Sequence, residues 1–292
     1  MENLRIWDVR VHKADSAFLL DDGQTAILYD SGFGFTGDRV AEKIRKHLGE
    51  RKLDYIFLTH SHYDHALGAA YVLRHWPAAK VVAGEYATRI FAKPTAKALM
   101  RKLDRAFADT CGEGAYEDRA DDLRVDIPVK DGDVIRAGNL EFVAVELPGH
   151  TKCSVGYFCR EKNLLLACET LGVYDGAGDV VPSYLVGCQM TIDSIDKALA
   201  LKPQNILTPH FGLLTGEAAQ SYLQRGRARA LQTAEETVAA LRAGQTKQQI
   251  AEAIEKRIWH GYMKEIYPLD AMRLNTGIMI DMLQRELMEE RQ

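Results

Sequence analysis

The spacing of apolar and polar positions changes character twice along this 292-residue chain. Early on, the β-prone runs Ile6–Val11, Ala17–Leu20 and Thr25–Tyr29 are short, and Asp21-Asp22-Gly23 reads as a turn between the last two. Strands are expected there. After Asp30-Ser31-Gly32, the residues Val40, Ile44 and Leu48 recur every four positions. That stripe predicts a helix, with Thr36 or Asp38 as its cap and Gly49 as its stop. Tyr55–Leu58 is a strand-length apolar run, Ala66–Trp76 reads as a helix stopped by Pro77, and Lys80–Ala83 as the next strand. A strand–loop–helix–strand unit of this kind places the chain in the α/β class.

Further on, Glu85–Asp109 has helical spacing interrupted at Pro94, and Thr110–Asp122 is polar enough for a surface loop. Strands resume from Leu123. They include Leu140–Glu146 and a hairpin of Ser154–Cys159 with Leu164–Cys168. Ile192–Leu201 reads as a helix and Asn205–Leu207 as a short strand, followed by a loop over Thr208–Gly212. From Glu217 the strand pattern stops, and Glu217–Arg242, Thr246–Ile258 and Leu269–Glu290 read as three helices. The expected organisation is a catalytic domain over residues 1–215 and a helical extension over 216–292, which shapes a substrate pocket or a dimer contact.

Composition narrows the function classes. Lys and Arg number 37 against 41 Asp and Glu, a net charge of −4, which argues against a nucleic-acid partner. No apolar run approaches the ~18 residues of a membrane span, so no membrane partner is expected. Charged residues such as Arg5, Asp8 and Arg10 interrupt any leader-like stretch. The five cysteines form no C-x-x-C pair and read as free thiols, which points to a cytoplasmic protein.

Three of the nine histidines fall within six residues, together with an aspartate: His60-Ser61-His62-Tyr63-Asp64-His65. On an extended segment alternate residues share a side, so His60 and His62 can grip one ion. Asp64 and His65, at the turn into the helix, are displaced enough to reach a second. Imidazole nitrogens and a carboxylate suit zinc, and also iron or manganese. Two ions need more ligands than these four. His150, Glu169 and His210 each follow a strand, where α/β sheets build their sites.

These motifs resemble the metallo-β-lactamase superfamily of binuclear metal hydrolases. Thr59–His65 matches its T-H-x-H-x-D-H signature, Asp30-Ser31-Gly32 its D-x-G turn, Pro148-Gly149-His150-Thr151 its P-G-H-T loop, and Thr208–Gly212 its last histidine loop. The resemblance implies a four-layer αββα sandwich. It also implies two divalent metal ions, one on His60, His62 and His150 and the other on Asp64, His65 and His210. The family's bridging aspartate is replaced here by Glu169, longer by one methylene or about 1.5 Å, which could bridge both ions or bind one and weaken the other, with Asp175 as a weaker substitute. The implied reaction is cleavage of a thioester, ester or lactone by a metal-bridging hydroxide, with Asp64 relaying the proton. Length, the Leu171–Asp175 stretch and the C-terminal helices are similar to the quinolone-signal response thioesterase branch, which implies a small-molecule substrate. Phe33, Phe35, Tyr174, Tyr184 and Phe211 then become candidate pocket walls.

Other readings stand beside these. An iron-dependent oxidoreductase like the persulfide dioxygenases would use the same ligands, and a regulatory protein could keep the fold and act through a partner. His12, His47, His75 and His260 lie outside the motifs and read as surface or packing residues. Cys168 reads as core and Cys153 as a neighbour of the site. Asp30 is expected to order the turn or a ligand histidine. Leu269, Met272, Ile280, Leu283 and Leu287 read as packing or a homodimer contact.

Overall fold

The computed structural model describes residues 3–289 and is mixed α/β. The chain divides into two compact units, one of residues 1–146 and 155–166, the other of residues 147–154 and 167–292.

The first unit opens with three antiparallel strands, β1 (Arg5–Asp8), β2 (Phe18–Asp21) and β3 (Ala26–Tyr29). β1 stops at Asp8, short of the expected Val11. The reason is local: the buried Asp15 carboxylate accepts the main-chain N–H groups of Val11 and His12, at 2.8 and 2.7 Å, in place of a strand partner. The sheet then continues in parallel through β4 (Tyr55–Phe57), β5 (Lys80–Gly84) and β6 (Ile127–Val129). The crossovers are helical, with α1 (Gly37–Leu48), then α2 (Tyr63–Ala66) and α3 (Gly68–His75), then α4 (Glu85–Phe91) and α5 (Pro94–Thr110). Pro94 sits in the first turn of α5, where its missing N–H is harmless. Thr36 occupies the α1 N-cap position but makes no side-chain cap; its hydroxyl donates instead to Asp15, 2.7 Å away.

Every residue of β2 and β3 is buried, so both faces of this sheet are covered. On one side lie antiparallel strands β7 (Val134–Ala137), β8 (Leu140–Glu146), β9 (Val155–Cys159) and β10 (Leu164–Leu166). Phe57 of β4 meets Phe142 of β8 and Tyr157 of β9, with ring centroids 5.2 and 4.7 Å apart. α1 and α3 pack against each other. α3 begins at Gly68, where a Cβ would collide with the Ser31 carbonyl, so only glycine lets the helix start so close to the Asp30-Ser31-Gly32 turn.

The second unit carries a 3-10 turn at Glu169–Leu171, the small ladder β11 (Val173–Tyr174) with β12 (Val180–Val181), helix α6 (Cys188–Ala200), and the hairpin β13 (Asn205–Thr208) and β14 (Gly212–Thr215). β14 is not legible in the sequence, since Gly212-Leu213-Leu214-Thr215 is too short to signal a strand without its partner. Four helices follow, α7 (Glu217–Arg242), α8 (Lys247–Ile258), α9 (Met263–Ile266) and α10 (Leu269–Gln284). α9 is too short to show in helical spacing. α7 passes over the Glu169–Leu171 turn at Gly226, where a Cβ would press into the Leu171 carbonyl. α8 starts with a capping box between Thr246 and Gln249. α10 ends at Gln284 and widens into a π-type turn at Arg285–Glu289; its expected end, Glu290, lies outside the described residues. No helix is long and apolar enough to cross a membrane among the described residues.

Candidate metal centre

The residues Thr59–His65 run from the end of β4 into α2, so the loop emerges at the carboxyl end of a parallel strand. The His60 ring lies 4.6 Å from that of His62 and 4.1 Å from that of His65, centroid to centroid. Asp64 Oδ2 is 3.6 Å from His65 Nε2.

Behind these rings sits Asp30, fully buried and in the left-handed region at φ 50°. One carboxylate oxygen accepts from the Thr59 N–H at 2.8 Å, and the other from the Ser16 hydroxyl at 2.9 Å and His65 Nδ1 at 2.7 Å. An ionised carboxylate only accepts, so His65 must carry its proton on Nδ1 and present the lone pair of Nε2. The Thr59 hydroxyl also lies 3.0 Å from Asp30 and 3.0 Å from His60 Nδ1. With a single proton to give, and that one directed to Asp30, it accepts from His60 Nδ1, which again leaves Nε2 as the donor to a metal.

In the second unit the same logic recurs. His150 sits in the loop after β8, and its Nδ1 donates to the Ser183 carbonyl at 2.8 Å. Its main-chain N–H is held by the Thr170 hydroxyl. His150 Nε2 lies 2.8 Å from one oxygen of Glu169, while the other oxygen lies 3.3 Å from His210 Nε2. The longer acid thus spans the two histidines with one oxygen for each. Asp175 does not share this role, because its carboxylate closes its own turn by accepting from the Ala177 and Asp179 N–H groups, both at 2.8 Å.

The side chains that could hold a metal ion are His60, His62, Asp64 and His65 in the first unit and His150, Glu169 and His210 in the second. Two donors about 2.1 Å from one cation would stand roughly 3.4 Å apart, and the 2.8 Å between His150 and Glu169 and the 3.6 Å between Asp64 and His65 lie on either side of that. The Nδ1 atoms of His60, His65 and His150 are each engaged by an oxygen, which leaves their Nε2 atoms, with the carboxylates of Asp64 and Glu169, as a donor set that fits a divalent cation.

The aromatic residues expected to line a pocket divide. Phe33 and Tyr184 have no exposed surface. Phe33 packs on Phe35, Tyr63 and Phe107, and the Tyr184 hydroxyl donates to the Ala230 carbonyl, so both are packing residues. Phe35 is also buried. Tyr174 and Phe211 are half-buried and meet edge to face, 4.6 Å apart. Sequence reasoning missed Ser183, Thr170 and Tyr262, which hold the candidate ligands His150 and His210 by hydrogen bonds. Nothing in their spacing marks them, because each acts through a main-chain or ring atom of a distant residue. Of the other histidines, His47 stacks on Trp7 and His12 meets Phe107 edge-on.

A mixed α/β protein whose histidines and acids stand in loops at strand ends is built like a metal-binding protein. The chain belongs to the metallo-beta-lactamase superfamily, whose family model matches residues 14–210. It is 28% identical over 167 residues to the acyl-coenzyme A thioesterase MBLAC2 of Gallus gallus, covering 54% of this chain and 57% of that protein. To the hydroxyacylglutathione hydrolase of Legionella pneumophila (strain Corby) it is 27% identical over 116 residues, covering 40% of this chain and 33% of that protein. It therefore spans less than two thirds of the length of either relative. The solved structure of the metallo-beta-lactamase family protein TTHA1429 from Thermus thermophilus superposes with a TM-score of 0.62 at 18% identity, covering 98% of this chain and 93% of that one, which shows a shared fold.

Proposed function

We propose that the protein is a metallo-hydrolase that cleaves a thioester, ester or lactone of a small-molecule substrate. The observation that carries this reading is the Glu169 carboxylate, with one oxygen 2.8 Å from His150 Nε2 and the other 3.3 Å from His210 Nε2. An acid so placed would be within reach of a cation held by either histidine. The acyl-coenzyme A thioesterase and the hydroxyacylglutathione hydrolase among the relatives favour an activated acyl bond over other hydrolytic targets.

In this reading His60, His62 and His150 with Glu169 would hold one divalent cation, and Asp64, His65 and His210 would hold the other. Bound there, cations would supply Lewis acidity for the hydrolysis. The chain does the rest. Asp30, Thr59 and Ser183 keep the imidazoles of His65, His60 and His150 in one tautomer, with Nε2 turned away from these partners. Asp64, with 21% of its side chain exposed, accepts the proton of the attacking water on a carboxylate oxygen. It returns that proton to the sulfur or oxygen that leaves as the acyl bond breaks. Tyr174 and Phe211 offer the half-buried aromatic surface for the substrate's apolar part.

The test is metal analysis of protein purified without added metal, followed by a thioester and lactone panel on the same sample. Two equivalents of metal and a turnover that chelation removes and metal restores are expected. Full turnover by His60→Ala with its metal content intact would defeat the reading.

A further inference from the structure

His210 stands in unusual backbone geometry. Its φ is 61°, in the left-handed region that side chains rarely adopt. The Phe211 N–H donates to the Pro209 carbonyl at 2.7 Å, which closes a three-residue turn with His210 at its centre. Turns of this hand are rare because they strain the central residue. This turn aims the His210 imidazole so that Nε2 lies 3.3 Å from Glu169.

Something must hold the turn against relaxation. The Tyr262 hydroxyl donates to the His210 carbonyl at 2.6 Å. That bond fixes the peptide plane after His210, and with it the backbone rotation that would open the turn. Tyr262 is itself held in a slot. Phe211 meets its ring edge-on at 5.8 Å, and Gly176, at φ 78°, faces it so closely that a Cβ would come within 3.1 Å of Tyr262 side-chain atoms. The segment that carries Tyr262 is anchored by Met263 and Ile266, which are buried with Val173 and Val181.

We infer that Tyr262 is a positioning residue for His210: its hydroxyl locks the strained turn and so presents the imidazole to the second metal ion. The inference rests on the metal reading above. It makes the region after α8 a determinant of metal affinity, because the ligand's orientation is set by a hydrogen bond from the loop that leads into α9.

Full-length Tyr262→Phe removes only the hydroxyl. Zinc affinities are measured by competition with a chromophoric chelator, and thermal unfolding is followed on metal-free protein. The wild type is expected to bind two ions. Tyr262→Phe should bind one with unchanged affinity and the other about tenfold more weakly, the scale seen when a partner of a metal ligand is lost. Its metal-free melting temperature should fall no further than that of Tyr267→Phe, which also loses one hydroxyl bond. Tyr267→Phe is the control on the same segment, because that hydroxyl accepts from Asn275 at 2.7 Å rather than holding His210; it should keep both affinities. Wild-type affinities in Tyr262→Phe, or an equal loss in Tyr267→Phe, would overturn the inference. His210→Ala separates the two levels: retention of two tight ions in that variant would overturn the metal reading itself, whereas loss of one ion there with no effect of Tyr262→Phe would sink only the role of Tyr262.

Discussion

Asp30 Oδ2 lies 2.7 Å from His65 Nδ1, and neither side chain is exposed. The pair links the end of β3 to the first turn of α2, and it makes the aspartate of the Asp30-Ser31-Gly32 turn an orienting acid rather than a ligand. The Thr59 and Ser16 hydroxyls share its oxygens, so the buried carboxylate is satisfied by several hydrogen bonds at once.

Asp30→Asn keeps the shape but loses an acceptor and the charge. His65 is then no longer held in the Nδ1–H tautomer. Metal affinity should fall by about tenfold to a hundredfold. Chelator competition measures this directly, and an unchanged affinity would show that the Asp30–His65 bond has no bearing on metal.

Glu169→Gln keeps the length of the side chain and removes its charge. A neutral amide cannot face both His150 and His210 as an anionic ligand. At least about a tenfold loss of metal affinity is expected, with circular dichroism unchanged. A variant that loads two ions as tightly as the wild type would show that the acid only hydrogen-bonds the histidines.

Asp104 introduces a pH dependence in stability. It accepts hydrogen bonds from the Gly34 N–H at 2.9 Å and from the Tyr116 hydroxyl. Burial nonetheless pushes its carboxyl up to about 7, against the pull of those bonds. The unfolded chain releases this proton near the ordinary value of 3.8. Between these two values the folded protein holds a proton that the unfolded chain has lost. Raising pH through that window therefore favours unfolding, and the loss is complete above about 7. The melting temperature of metal-free protein should drop from about pH 5 to about pH 7.5, and Asp104→Asn should flatten that drop. Equal slopes in the two proteins would contradict the assignment.

Glu286 caps a helix from far along the chain. Its two oxygens accept the N–H groups of Cys188 and Gln189, at 2.7 and 2.9 Å, in the first turn of α6. Gly187, at the N-cap, has no side chain to do this. Glu286→Ala should cost about 1 kcal/mol. A urea midpoint unchanged from the wild type would show that water replaces the carboxylate without loss.

Much of this protein is written in local pattern. The four-residue spacing of Val40, Ile44 and Leu48 marks α1, the apolar run before His60 marks β4, and the clustered histidines mark a metal site. Each of these signals lies within a few residues, so sequence alone carries it. The mixed α/β class and the helices after Glu217 follow for the same reason. What tertiary structure decided is of another kind. Phe33 and Tyr184 became core because burial depends on residues such as Phe107 and Ala230, remote in the chain. β14 exists because β13 pairs with it. The supports of His150 and His210, Ser183 and Tyr262, lie 33 and 52 residues away from the histidines they hold. A local pattern reports the residue types a site needs. Which oxygen orients which ring depends on where distant segments meet, and no short-range spacing records that.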